Sequence, residues 1–219
     1  SRGLGDVYKR QGVTLLIAVP LGVGAAIYLT EYAKPGNRLV PPIRLTTETL
    51  AGIPSIVYGL FGYLVFVKAL HLRLSLLSGA LTLAIMILPS IINVAMTALE
   101  AVPREYEDAS LALGATETET WFKVSVPAAR SGIAAAVVLG VGRAIGEAMA
   151  VMMVSGNVPN MPSLFQSVRF LTTAVASEMG YAAAGLQRQA LFSIALVLFL
   201  FIMLINAALN FFLKRSKEK

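Results

Sequence analysis

Cysteine is absent from this chain, histidine and tryptophan occur once each, and charged residues fill only 14% of its 219 positions. Without cysteine there is no disulfide framework, thiolate metal site or thiol redox chemistry. The single histidine, His71, sits between Lys68 and Arg73 with no carboxylate beside it and reads as a solvated surface residue, not a metal ligand. No G-x-x-x-x-G-K-[ST] loop occurs, so the chain has no phosphate cradle for ATP, and no cofactor or catalytic residue is expected in it. The formal charge of +6 is not gathered into a basic patch with interleaved aromatics, which argues against a nucleic-acid partner.

What the chain has in excess is apolar surface: 57% of its residues are hydrophobic, against roughly 45 to 50% in soluble domains. Lipid must solvate that excess. A bilayer core about 30 Å thick needs on the order of 20 apolar residues in a helix, because nothing there satisfies open backbone groups. Five segments meet the requirement: residues 12–30, 49–67, 74–99, 131–155 and 189–213. Only the fourth carries charges. The fold class expected is therefore all-α, a polytopic membrane protein of five transmembrane helices spanning 12–213, with a short tail at 214–219. Pro20 in the first segment and Pro54 in the second, each beside glycines, read as packing kinks, with a gating hinge as the alternative. Gly142-x-x-x-Gly146 in the fourth is a small-residue spacing that lets another backbone approach.

Lys and Arg set orientation, because cytoplasmic loops retain them. One side collects Lys34, Arg38, Arg44, Arg104, Lys123, Arg130, Lys214, Arg215, Lys217 and Lys219; the other has Lys68, Arg73, Arg169 and Arg188. The ten-to-four split predicts a cytoplasmic C-terminus and a cytoplasmic loop at 100–130. Glu31 and Glu48 read as interfacial charge on that side. Residues 1–11, SRGLGDVYKRQ, differ in character from the apolar run after them and lack the h-region and cleavage site of a signal peptide. They are expected to be a non-native or junction leader standing apart from the fold.

The 100–130 loop is polar yet patterned. Pro103 suits a first helical turn, Glu105, Glu107 and Asp108 favour its N-terminal dipole, and Gly114 can take the left-handed conformation that ends it. Thr116-Glu117-Thr118-Glu119 then forms a capping box for a second helix carrying Trp121 and Phe122, expected to stop before Pro127. Trp121 reads as a packing or interface anchor. The loop is thus a helix-turn-helix knob; the plainer alternative is an amphipathic loop lying on the bilayer.

Here the residues resemble the permeases of bacterial ABC importers, whose cytoplasmic motif is Glu-Ala-Ala, three residues, Gly, nine residues, then Ile-x-Leu-Pro. This chain has Asp108-Ala109-Ser110, Gly114 and Val124-Ser125-Val126-Pro127 at the same intervals. The departures, Asp for Glu, Ser for Ala and Val for Ile and Leu, keep charge, size or apolarity. Residues 51–62 (AGIPSIVYGLFG), 142–151 (GRAIGEAMAV) and Gly156-Asn157 are similar to the phosphate permeases, and to the PstC type of subunit more than its PstA-type partner. That type normally has one further N-terminal helix, so the chain is expected to be N-terminally incomplete. The resemblance implies a type I importer permease in the bacterial inner membrane. Its implied partners are a homologous PstA-like permease, an ABC ATPase dimer that receives the loop, and an extracytoplasmic phosphate-binding protein.

Within the fourth segment, Arg143 and Glu147 lie four residues apart, hence on one face of a continuous helix, where they can pair. A charge at membrane depth costs about 2.5 to 3.5 kcal/mol on insertion scales and normally faces protein or a water-filled path. The pair is either a packing device or a station for an anion. In the second reading the Arg143 fork meets phosphate oxygens and Glu147 holds it or accepts from a protonated phosphate. The resemblance favours the second, since the family's arginine and glutamate at these places are implicated in transport. Other readings stay open: a different oxyanion, or an ion-coupled secondary transporter with Glu147 as its cation site.

Overall fold

The computed structural model describes residues 2–33, 37–38, 40–158, 160 and 163–217. Lys34 and Lys219, two of the ten basic residues assigned to the cytoplasmic side, lie outside these. The described chain is helical: α1 (Arg2–Ile27), α2 (Val40–Ala51), α3 (Ser55–Gly62), α4 (Leu76–Glu100), α5 (Arg104–Ala112), α6 (Glu117–Thr120), α7 (Val126–Ala128), α8 (Arg130–Gly146), α9 (Met149–Ser155), α10 (Leu171–Glu178) and α11 (Leu186–Lys217). Three wider π-helical stretches, Tyr28–Tyr32, Tyr63–Ala69 and Trp121–Ser125, extend α1, α3 and α6. Three helical stretches are long and apolar enough to cross a bilayer: Arg10–Tyr32, Leu76–Glu100 and Leu186–Ala208. Two bent pairs, Val40–Ala51 with Ser55–Ala69 and Glu117–Ala128 with Arg130–Gly146, bring the number to five when each counts as one crossing.

Two of the predicted spans differ in detail. The second, 49–67, is not one kinked helix: α2 ends at Ala51 and α3 starts at Ser55, with Pro54 extended at ψ 138°. Proline cannot donate to the preceding turn, and beside Gly52 and Ile53 the chain stops and restarts. Pro20, by contrast, is carried inside α1. The fourth, 131–155, is likewise broken, because α8 ends at Gly146 and α9 begins at Met149. Residues 2–11, expected to stand apart, form the opening turns of α1.

The chain divides into two compact units. One contains Ser1–Ile17, Ile53–Ile87 and Val141–Ala208. In it α3 packs closely on α9, where Gly59 lies against Ala150: a Cβ on Gly59 would come within 2.9 Å of the Ala150 Cα. Only glycine permits that approach. The first amides of α4 have no partner within their own helix, and carbonyls from elsewhere in the unit receive them: Leu76 N–H donates to Gln166 O at 3.2 Å and Leu77 N–H to Leu164 O at 2.9 Å. His71 is exposed, with φ of 53°, in the turn before α4.

The other unit contains Ala18–Gly52, Leu88–Gly140 and Leu209–Lys219. It holds the helix-turn-helix loop. The Tyr32 and Trp121 rings meet at 5.0 Å between centroids, and Arg44 pairs with Glu100. Trp121 is therefore a packing anchor, joining the loop to the end of the first span.

Candidate functional site: a charged helix break and a docking knob

The loop adopts the structure its sequence predicts, with one exception. Pro103 precedes α5, Gly114 has φ of +88°, and the Thr116 and Glu119 side chains each accept from the other's amide, at 3.3 and 3.1 Å, as a capping box requires. The Glu119 carboxyl is held below its ordinary range, first by the Thr116 amide and then by hydrogen bonds from Lys123 and the Thr116 hydroxyl. The exception is that the second helix does not stop before Pro127. It continues through the π turn and takes Pro127 into the first turn of α7, where a missing N–H costs little. Ser110 Oγ and Thr120 Oγ1 lie 2.9 Å apart, and Ser125 donates to Glu107 Oε1 at 2.8 Å, locking the two arms together. Asp108, Ala109 and Gly114 are exposed, and Leu113 beside the turn is 91% exposed. A cleft of about 410 Å³ at the base of the knob is lined by Glu31, Glu100, Arg104 and Glu107 among others.

The intramembrane charges are arranged differently from the continuous-helix expectation. Arg143 lies in the last turn of α8, but Glu147 falls beyond its end, so the two do not share an unbroken face. Glu147 Oε1 instead accepts from the Ala150 N–H at 3.0 Å, satisfying one amide left open where α9 begins. Both side chains are part-exposed. Within this chain the nearest atom to a Cβ on Gly142 is Asn206 Oδ1 at 3.7 Å, and Gly146 faces open space, so among the described residues no second backbone packs on either.

Arg10, which the sequence places in the leader at 1–11, is fully buried beside this break. Its Nη2 donates to Ala144 O at 3.2 Å, and its guanidinium lies 4.3 Å from the centroid of the Phe170 ring. Gln11 Nε2 donates to Val141 O at 3.4 Å. Nothing in an irregular leader marks them for burial. Tyr58, also buried, stands out in the sequence only as part of the 51–62 motif.

A family model described as a binding-protein-dependent transport system inner membrane component matches residues 18–218. The chain belongs to this family. The permease is 42% identical over 207 residues to the probable ABC transporter permease protein YqgH of Bacillus subtilis, covering 89% of this chain and 66% of that one. It is 38% identical over 214 residues to the phosphate transport system permease protein PstC of Haemophilus influenzae, covering 86% and 67%. The permease thus spans about two-thirds of the length of these relatives. Its fold matches the MetNI methionine ABC transporter in an inward-facing conformation, with a TM-score of 0.71 at 18% identity over 98% of this chain and 93% of that chain. An amino acid ABC transporter gives 0.62 at 14%, over 97% and 92%. Arg10 precedes the matched stretch; Tyr58, Arg143, Glu147 and the docking knob lie within it.

Proposed function

We propose that this permease carries inorganic phosphate inward across the bacterial cytoplasmic membrane as one of two homologous subunits, driven by ATP hydrolysed on separate ATPase subunits. The observation that carries the reading is a basic residue at a helix break inside an apolar span, in a chain 38% identical to a phosphate transport permease. Arg143 supplies a fork of donors that stays charged at any working pH. Glu147, with Oε1 engaged by Ala150, keeps Oε2 for the acid hydrogen of a protonated phosphate. A path must also release what it holds, so high affinity belongs to a separate extracytoplasmic binding protein, of PstC and PstA system type.

The knob is the contact with the motor. Asp108, Ala109, Ser110 and Gly114 form its tip, while Val124, Val126 and Pro127 form the return arm. Exposed Leu113, Leu111 and Phe122 offer apolar area to an ATPase cleft. ATPase closure pushes the knob, and the helices tilt about the break beside Arg143, giving alternating access. Uptake of labelled phosphate by the full operon, with and without excess sulfate, tests the reading. Uptake that sulfate leaves intact supports it; uptake abolished by sulfate moves the substrate to another oxyanion.

A further inference from the structure

Cytoplasmic loops retain Lys and Arg, so an extracytoplasmic turn that gathers cations runs against the bias that orients the chain. The turn leading into α4 is of this kind. Lys68, His71 and Arg73 are all exposed, while residues 49–99 contain no Asp or Glu. Among the described residues none of the three pairs with a carboxylate, and Lys68 Nζ lies 5.8 Å from the centroid of the Tyr63 ring. Leu70 and Leu74, 58% and 40% exposed, are interleaved with them.

The backbone of this turn is pinned. His71 and Arg73 have φ of 53° and 59°, in the left-handed region that a residue with a Cβ keeps only where its surroundings impose it. Leu70 N–H donates to Val65 O at 2.9 Å and Leu72 N–H to Phe66 O at 3.0 Å, while Ser78 Oγ donates to Arg73 O at 2.9 Å from inside α4. Two residues past Arg73, Ser75 N–H donates to Val154 O, in the last turn of α9, at 3.3 Å. Glu147 caps the opposite end of that helix. A contact on the turn is thus separated from Glu147 by α9 alone, about 10 Å of helix.

We propose that the 68–73 turn is the docking point for an acidic surface of the extracytoplasmic binding protein. This rests on the importer reading and on the orientation that Lys and Arg set. Cations carried on a backbone already fixed meet carboxylates with little ordering left to do, and the interleaved leucines supply apolar area among the charges. Lipid headgroups are fluid and attract basic residues without requiring a fixed spacing, so a pinned turn suits a protein partner better.

The test uses the complete transporter in phosphatidylcholine nanodiscs, where both faces are open, and follows ATP hydrolysis against the concentration of purified, phosphate-loaded binding protein. In Lys68→Gln with Arg73→Gln the concentration for half-maximal stimulation should rise roughly tenfold, the loss of two exposed charge pairs. The maximal rate and the yield of assembled complex should not change. Arg73→Lys keeps the charge and should dock as the unaltered transporter does. Added salt should weaken stimulation of the unaltered transporter and affect the double variant much less. An unchanged half-maximal concentration in the double variant overturns the assignment, as does a fall in maximal rate alone, which would mark a role within the permease. An effect seen only when the nanodiscs contain anionic phosphatidylglycerol assigns the turn to lipid and overturns it too. If the phosphate-loaded protein fails to stimulate even the unaltered transporter, the phosphate reading falls and takes the docking point with it; stimulation indifferent to the double variant removes the docking point alone.

Discussion

Glu147 does two things that one substitution can separate. Its carboxylate caps α9 through the Ala150 amide, and its charge lies at the helix break where Arg10 is buried against Ala144 O. Glu147→Gln retains an acceptor for the amide and discards the charge, whereas Glu147→Ala discards both. If the charge serves passage, Glu147→Gln should assemble normally and lose phosphate selectivity over sulfate, while Glu147→Ala should also lower the yield of assembled complex. Arg143→Gln should abolish uptake, and Arg143→Lys should restore little, because a point charge lacks the planar fork. Should the double variant, Arg143→Gln with Glu147→Gln, take up phosphate at a near-normal rate, the two charges are a packing device. At this scale the sequence is informative about residue type and silent about geometry. The four-residue spacing identifies both charges, but an apolar run flanking a charge pair gives no local sign that the helix stops at Gly146. The capping hydrogen bond depends on a carboxylate folding back, which spacing alone does not encode.

At the scale of elements, local chemistry predicts best where it is complete within a few residues. The capping box and the left-handed Gly114 are legible because Thr116, Glu119 and Gly114 satisfy their own neighbours. The seam at Gly59 is not, since its cause is Ala150, a residue distant in the chain. Two glycine substitutions probe these elements. Gly114→Val places a β-branched residue at φ of +88° in open space, so the penalty is backbone strain alone. Recovery of ATPase on the purified permease should drop, with the transmembrane part still inserted. Undiminished recovery, together with normal coupled ATP hydrolysis, removes Gly114 from the docking contact. Gly59→Ala should instead destabilise the membrane unit by about 1 to 3 kcal/mol, since its new methyl meets backbone; thermal melting of the purified protein reads it. The second arm of the knob has a pH signature as well. Glu119 has a depressed pKa, so its contribution is present above the unfolded value near 4.3 and is lost as pH falls through the folded one. The protection of amides at the start of α6, after correction for the intrinsic exchange rate at each pH, should fall in acid, and Glu119→Gln should remove that pH dependence.

For the whole molecule, the lack of cysteine becomes an experimental advantage. Single cysteines can be placed on a clean background to test the ten-to-four distribution of Lys and Arg. One at Thr118 or Ser216 should resist a membrane-impermeant thiol reagent in intact cells, and one at Ser163 should react. The reverse pattern would turn the molecule over and take the docking knob to the wrong face. Composition suffices for the all-helical class, because bilayer thickness sets length directly, while the number of crossings runs from three long apolar helices to five when each bent pair counts as one. Composition cannot show where the helices bend or stop, since hydropathy averages over the breaks at Gly52–Pro54 and Glu147–Ala148 and over the bend at Ala129.

A π turn holds one more residue than the α turn it replaces, and it closes its hydrogen bonds one residue further along. The first span ends in such a turn, with Ala33 N–H donating to Tyr28 O at 2.9 Å, and the second arm of the knob passes into another directly after α6. Tyr32 and Trp121, whose rings meet, belong to these two turns. Returning either turn to α geometry would rotate the chain beyond it by about 100° and shift it about 1.5 Å, while every amide keeps a carbonyl. Under the docking proposed for the knob, a push on it would meet the first span at this ring contact, beside a turn whose register differs from that of an α-helix by one residue.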